Sequence, residues 1–153
     1  MQRKRPLSSN NDPIEFQVLN EIGIISQLAN NRAARLLSPD LNMSQFIVLN
    51  HFSRMGDERS LVQLATAIQV TKGAMSNTIA RLHDKGLVVV RADPEDGRGK
   101  LVSITAAGRA MRNRAVSKLG RGLSSIYDVI KLNELEPVLH SLRKLRCWFD
   151  ENR

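Results

Sequence analysis

The sequence predicts a mainly α fold with a small β-hairpin. Three observations predict it. Apolar residues recur at helical spacing over the first and last parts of the chain. Two short, separately capped helical patterns follow one another between Ser60 and Gly86. The period then switches to β-branched runs around a turn-rich tip between Leu87 and Thr105.

The first helix is predicted from Asp12 or Pro13, where Asp12 can cap and Pro13 suits the first position. Its apolar stripe is Ile14, Val18, Ile22, Ile25, Ala29, Ala33 and Leu36, and Ser38-Pro39-Asp40 ends it. A second helix runs from about Asn42 to Met55, with Phe46, Leu49, Phe52 and Met55 facing one way and Gly56 as the left-handed stop. Ser60 and Gln63 form a capping box for a short helix with Leu64, Ala65 and Ile68 inward. That helix breaks near Gln69, which must take the turn at some strain. Thr71 caps the next helix, in which Val70, Ala74 or Met75, Ile79 and Leu82 point inward, and Lys85-Gly86 closes it. Strands Leu87–Arg91 and Leu101–Thr105 flank the tip Ala92–Lys100. Thr105 then caps a long helix through Ala115, Leu119, Leu123, Ile126 and Ile130, weakened by Gly108, Gly120 and Gly122. A last helix starts near Asn133, with Glu136 as its capping partner and Leu135, Val138, Leu139, Leu142, Leu145, Trp148 and Phe149 on one side.

Two short helices with a tight connection, followed by a hairpin, make a winged helix-turn-helix domain over residues 41–105. Residues 12–40 and 106–153 form a helical region whose apolar stripes exceed what one small domain can cover. Burial against a second copy is the simplest solution, so a homodimer is expected. Residues 1–11, with Arg3, Lys4 and Arg5, read as a flexible basic arm.

The composition narrows the function. At 153 residues the chain is long enough for one real core, and its single cysteine, Cys147, excludes an internal disulfide or a cysteine zinc cage. The apolar runs are too short for a membrane span, and the basic start lacks the apolar stretch of a secretory signal, so a cytoplasmic protein is expected. Lys plus Arg is 23 against 15 Asp plus Glu. Between Arg59 and Arg121 there are twelve basic and four acidic residues, so this segment carries the whole excess of +8. Such a strip suits a polyanion.

Two elements could read double-stranded DNA. In the helix after Thr71, the residues Thr71, Lys72, Gly73, Ser76, Asn77 and Arg81 lie outside the apolar face. They are small, polar or cationic, which a helix needs to enter a major groove. Lys72 and Asn77 are the best candidates for base edges, Ser76 could meet either base or phosphate, and Arg81 suits a phosphate. In the hairpin tip, Arg98 stands between glycines, with Asp96 close enough to hold its guanidinium and Lys100 placed toward flanking phosphates. An arginine on a narrow finger suits a minor groove.

These residues carry a resemblance. Leu64-Ala65, Val70-Thr71-Lys72, Ile79-Ala80-Arg81-Leu82, Lys85-Gly86-Leu87-Val88 and Arg91, followed by Asp93-Pro94-Glu95-Asp96-Gly97-Arg98 and Ile104-Thr105-Ala106-Ala107-Gly108, resemble the MarR family of winged-helix transcription regulators. The resemblance covers about residues 12–150. It implies a homodimer on a pseudo-palindromic operator, a repressor in most members, with Arg98 in the minor groove and Asp96 orienting it. It also makes small apolar or aromatic acids plausible effectors. Gly97 stands where many members carry a second arginine, and Gln69 where glycine is common. The family's peroxide sensing uses a cysteine near the N-terminus, which this chain lacks.

Other chemistry finds little support. His51, His83 and His140 lie on separate helices without metal-ligand spacing, and nothing arranges a nucleophile with a base, so neither enzyme nor metal or cofactor site is expected. Cys147 reads as a packed hydrophobe. A small-molecule effector pocket is expected where the long helices meet the winged domain, with Phe16, Phe46 and Phe52 as candidate walls. The competing reading is a winged-helix module that contacts protein or nucleic acid non-specifically, without ligand response. The centre offers no aromatic platform for single-stranded RNA.

Overall fold

The computed structural model describes residues 12–152. The basic arm expected at 1–11 lies outside the described residues. The element order is α1 (Ile14–Leu37), α2 (Met43–Met55), β1 (Glu58–Ser60), α3 (Leu61–Ile68), α4 (Lys72–Asp84), β2 (Val88–Ala92), β3 (Lys100–Ile104), α5 (Ala106–Gly122), a 3₁₀ turn (Ser124–Asp128) and α6 (Leu132–Glu151). The chain divides into two compact units, one ending at Met43 and one beginning at Ser44.

The first unit is essentially α1. Pro13, which offers no side-chain cap, takes the N-cap position expected of Asp12. Instead the Asp12 carbonyl accepts a hydrogen bond from Gln17 Nε2 at 2.7 Å. The expected stripe is largely uncovered: Ile14 and Ile25 are 70% and 60% exposed, and only Ile22, Ala33 and Leu36 are half-buried. Leu28 is similarly exposed, while Leu37 and Leu41 are buried.

The second unit holds the core. Val48, Leu49 and Phe52 of α2, Leu61 and Leu64 of α3, Met75, Ile79 and Leu82 of α4, and Leu87, Val88, Val102 and Ile104 at the sheet are buried. The inner face of α2 is therefore rotated from the expected one. Gln45 and Val48 are buried, Phe46 is half-buried and Met55 is exposed. Gln45 tolerates burial because its Oε1 accepts from Lys85 Nζ at 3.3 Å, a tie from α2 to the end of α4. Val70 also differs from expectation. It is exposed, and Met75 rather than Ala74 takes the inward place.

Local chemistry sets most ends. Ser60 Oγ accepts from Gln63 N while Gln63 Oε1 accepts from Ser60 N, closing the capping box. Gln69 ends α3 in the left-handed region at φ 60°. Thr71 Oγ1 accepts from Ala74 N and starts α4. Gly56 and Gly86 take the positive φ their positions require, 99° and 68°.

The sheet has three antiparallel strands in the order β1-β3-β2. β1 was not expected, and the two hairpin strands sit one residue from their predicted bounds. Glu58 pairs with Ser103 across β1–β3, and Val89 with Ser103 across β2–β3. Thr105 then riveted to the opposite junction explains where α5 starts. Its Oγ1 donates to Gly86 O at 2.8 Å and accepts from Gly108 N at 3.0 Å, and its N–H donates to Leu87 O at 3.1 Å.

Two expectations for the C-terminal helices change. The long helix stops at Gly122 and gives way to the 3₁₀ turn, so the glycines end it short of Leu123, Ile126 and Ile130. The N-cap of α6 is Lys131, two residues before Asn133, because Glu134 rather than Glu136 reaches back, its carboxylate accepting from Lys131 N at 3.0 Å. Its apolar residues Leu132, Trp148 and Phe149 are exposed, and Trp148 and Phe149 meet edge to face at 5.0 Å. Among the described residues no helix is long and apolar enough to cross a membrane.

Candidate nucleic-acid interface

α4 presents its polar face because its apolar one is spent. Met75, Ile79 and Leu82 are buried at steps of four and three, so the residues between them face outward. Thr71, Lys72, Gly73, Ser76, Asn77 and Arg81 are all exposed. Nothing lies within 4 Å of where a Gly73 Cβ would stand, so the glycine keeps this surface low and answers no packing demand.

The hairpin tip is built from turn chemistry. Ala92 and Lys100 form the last strand pair. Beyond them Asp93 N donates to Gly99 O at 3.0 Å and Gly99 N to Asp96 O at 2.7 Å. Asp93 Oδ1 accepts from Glu95 N at 3.0 Å. Asp96 Oδ1 accepts from Arg98 N at 3.1 Å, which corrects the sequence expectation. Asp96 orders Arg98 through its backbone, not through its guanidinium. The short aspartate side chain is in reach of the amide two residues on, the usual geometry of such turns, and this leaves the arginine head outward on an exposed residue. Gly99 is tightly set here: a Cβ would come within 3.1 Å of both Asp93 Cβ and Asp96 Oδ2, so those neighbours would have to give by a few tenths of an ångström.

Tip and helix share one cleft of about 410 Å³. Lys72 and Ser76 of α4 line it with Asp96, Arg98 and Lys100 of the hairpin, and Asp93 and Gly99 join them. Five of the nine predicted residues thus meet at one place, whereas Thr71, Gly73, Asn77 and Arg81 lie along α4 outside the cleft lining. Sequence reasoning missed the third wall, Ser60, Leu61 and Val62 at the start of α3. The capping box at Ser60 marks the helix start that forms this wall but does not by itself place it beside Arg98. Val62 is 56% exposed beside these polar groups.

A second missed residue is Glu58. Its carboxylate accepts from Ser103 Oγ at 2.6 Å and from Arg91 NH2 at 2.8 Å and Nε at 3.3 Å. Those hydrogen bonds, Ser103 first and then Arg91, hold its pKa below the ordinary 4.5. Elsewhere in this unit a groove of about 660 Å³ is lined by Ile47, His51, Arg54 and Met55 of α2, by Ile68, and by Arg146 of α6. None of Phe16, Phe46 or Phe52 lines it; Phe52 is a core residue. Burial, and then Arg54 and Arg59, lower the pKa of His51. Among the described residues no cluster of His, Cys, Asp or Glu could hold a metal ion.

A profile of the MarR family matches residues 40–99, which span α2 to the hairpin tip. The wild-type apo MarR structure from E. coli is 25% identical, covers 90% of this chain and 98% of its own, and superposes with a TM-score of 0.74. Residues 40–99 thus match the MarR family, and the chain as a whole is similar to MarR winged-helix structures. A mutant of E. coli MarR in complex with operator DNA is similar over 90% of this chain and 99% of its own, at 25% identity and a TM-score of 0.67. Bordetella bronchiseptica BpsR, whose DNA binding is regulated by 6-hydroxynicotinic acid, is 27% identical over 82% of this chain and 98% of its own, with a TM-score of 0.62. The MarR resemblance seen in the hairpin signature thus extends to the whole helix order.

Proposed function

We propose that this protein is a homodimeric, sequence-specific DNA-binding transcription regulator that acts as a repressor and is released by a small-molecule effector. The observation that carries the reading is the shared cleft of Lys72, Ser76, Arg98 and Lys100 between a polar helix face and a protruding arginine tip. α4 enters a major groove, with Lys72, Ser76 and Asn77 toward base edges, Thr71 and Gly73 allowing close approach, and Arg81 on a phosphate. Arg98 enters the adjacent minor groove, Asp96 holds its backbone, and Lys100 meets a flanking phosphate.

The dimer is supported by apolar surface that a soluble monomer rarely leaves open. Ile14, Ile25 and Leu28 on α1, and Leu132, Trp148 and Phe149 on α6, are each between 48% and 70% exposed. Helices 12–40 and 106–153 are the proposed dimerisation region. The groove between α2 and α6, with Arg54, His51 and Arg146 over an apolar floor, is the proposed effector site. A ligand there acts only by preferring one spacing of the two reading helices.

In-vitro selection of duplexes with the purified protein, with sedimentation of the free and bound species, tests the reading. A pseudo-palindrome whose half-sites lie about 34–36 Å apart, bound by two chains, is the expected result. Salt-sensitive binding with no preferred sequence would favour the non-specific module instead.

A further inference from the structure

We propose that Glu58 is the positioning residue of the wing, aiming Arg98 by tying all three strands of the sheet together. The inference rests on the proposed DNA-binding reading and adds a residue that lies outside its contact set.

The geometry is unusual for a surface carboxylate. Glu58 pairs with Ser103 on β3, and Ser103 pairs with Val89 on β2. Glu58, Ser103 and Val89 therefore form one row across the sheet, with Arg91 two residues further along β2 on the same face. The single carboxylate accepts from the hydroxyl on β3 and, through two nitrogens, from the guanidinium on β2. Arg91 pairs with Leu101, one rung before the final pair Ala92–Lys100, so the tie grips the hairpin at the root of its tip. β1 has only three residues and hydrogen-bonds only to β3. Backbone pairing alone leaves β2 bound to β1 through β3; Glu58 adds a direct link. The lowered pKa of its carboxyl agrees with a carboxylate kept charged by these partners.

The sign of the effect separates this role from bulk electrostatics. Glu58 is an anion in a protein proposed to bind a polyanion. Deleting it removes one negative charge and releases Arg91, and both changes raise attraction to any duplex. A positioning role predicts the opposite for the selected duplex, because an arginine aimed into a narrow groove depends on the direction of its finger.

The test compares wild type, Glu58→Ala and Glu58→Gln at fixed salt, on the selected duplex and on a random one, each also in an Arg98→Ala background. Glu58→Gln keeps an acceptor oxygen for Ser103 and Arg91 and checks that loss of charge alone is not the cause. Glu58→Ala is expected to weaken selected-duplex binding roughly two- to fivefold, the range of an exposed but well-placed ion pair, while random-duplex binding holds or tightens. Glu58→Gln should recover most of the loss, and the Arg98→Ala background should abolish it. Equal or tighter selected binding by Glu58→Ala, or a loss undiminished in the Arg98→Ala background, overturns the proposal. If the wild type selects no sequence, the DNA-binding reading fails by itself. Amide exchange at Asp93 and Gly99, both hydrogen-bonded in the tip, then decides the positioning role: faster exchange in Glu58→Ala supports it and unchanged exchange overturns it.

Discussion

Gly108→Ala puts the strongest packing statement of the structure at risk. Alanine is the better helix former by about 1 kcal/mol, so on an open helix surface the change stabilises. At Gly108 the added Cβ would stand 2.1 Å from the Leu87 carbonyl oxygen and 2.8 Å from Ile104 Cγ1, where real Cβ atoms keep 3.0 Å or more. The carbonyl cannot simply swing aside. Leu87 O accepts from Thr105 N at 3.1 Å, and the neighbouring Gly86 O accepts from Thr105 Oγ1 at 2.8 Å. Relief therefore means lifting α5 or stretching both hydrogen bonds. Overpacking costs roughly 1–3 kcal/mol, and each weakened hydrogen bond about 0.5–1.5 kcal/mol. After the propensity gain, the net loss should be about 3 kcal/mol. Gly120, on the same helix, has nothing within 4 Å of its Cβ position, so Gly120→Ala should gain about 0.5–1 kcal/mol. Urea unfolding at constant slope measures both. A Gly108→Ala protein as stable as wild type, or the two variants moving the same way, would refute the close approach of α5 to the Leu87 backbone.

Three further outcomes are expected. Arg98→Ala should weaken binding to the selected duplex by about 1–3 kcal/mol at fixed salt, and an unchanged affinity would remove the wing from the proposed contacts. Gln69→Gly should stabilise the protein by about 1 kcal/mol, raising the melting temperature by about 2–4 °C, because a non-glycine residue at φ 60° carries strain that glycine lacks; a lowered midpoint would place the value of Gln69 in its Nε2 bond to Thr66 O. His51 has a folded-state pKa below its ordinary 6.5, first through burial and then through Arg54 and Arg59. The unfolded chain then binds the proton at higher pH than the folded one, so stability falls as pH drops through 6.5 and levels off below the folded pKa. Urea midpoints followed across this window should lose that slope in His51→Gln, and equal slopes in the two proteins would clear His51 of the effect.

The candidate interface was legible to the extent that it is local. α4 announces its outward face by the spacing of Met75, Ile79 and Leu82, and the hairpin tip announces itself through Asp93-Pro94 and the glycines around Arg98. What Asp96 does with Arg98 was not legible, since backbone amide and guanidinium are both within an aspartate's reach and only the folded turn chooses the amide. Nor was the α3 wall of the cleft, because Ser60, Leu61 and Val62 approach Arg98 only once the sheet has formed.

Caps and stops belong to the sequence itself. The Ser60–Gln63 box, the Thr71 and Thr105 caps and the positive-φ turns at Gly56 and Gly86 each join groups a few residues apart, so residue type nearly determines them. Tertiary structure alone decided β1, whose three residues carry no period and whose partner strand begins some forty residues later. It decided that α2 turns Gln45 inward, because Lys85 supplies the hydrogen bond that burial demands. It also decided the meaning of Gly108, which looks like a helix weakness in one dimension and is a contact surface in three. Short-range hydrogen bonding is written in neighbouring residues, whereas close approach between distant backbones depends on where both of them have been carried.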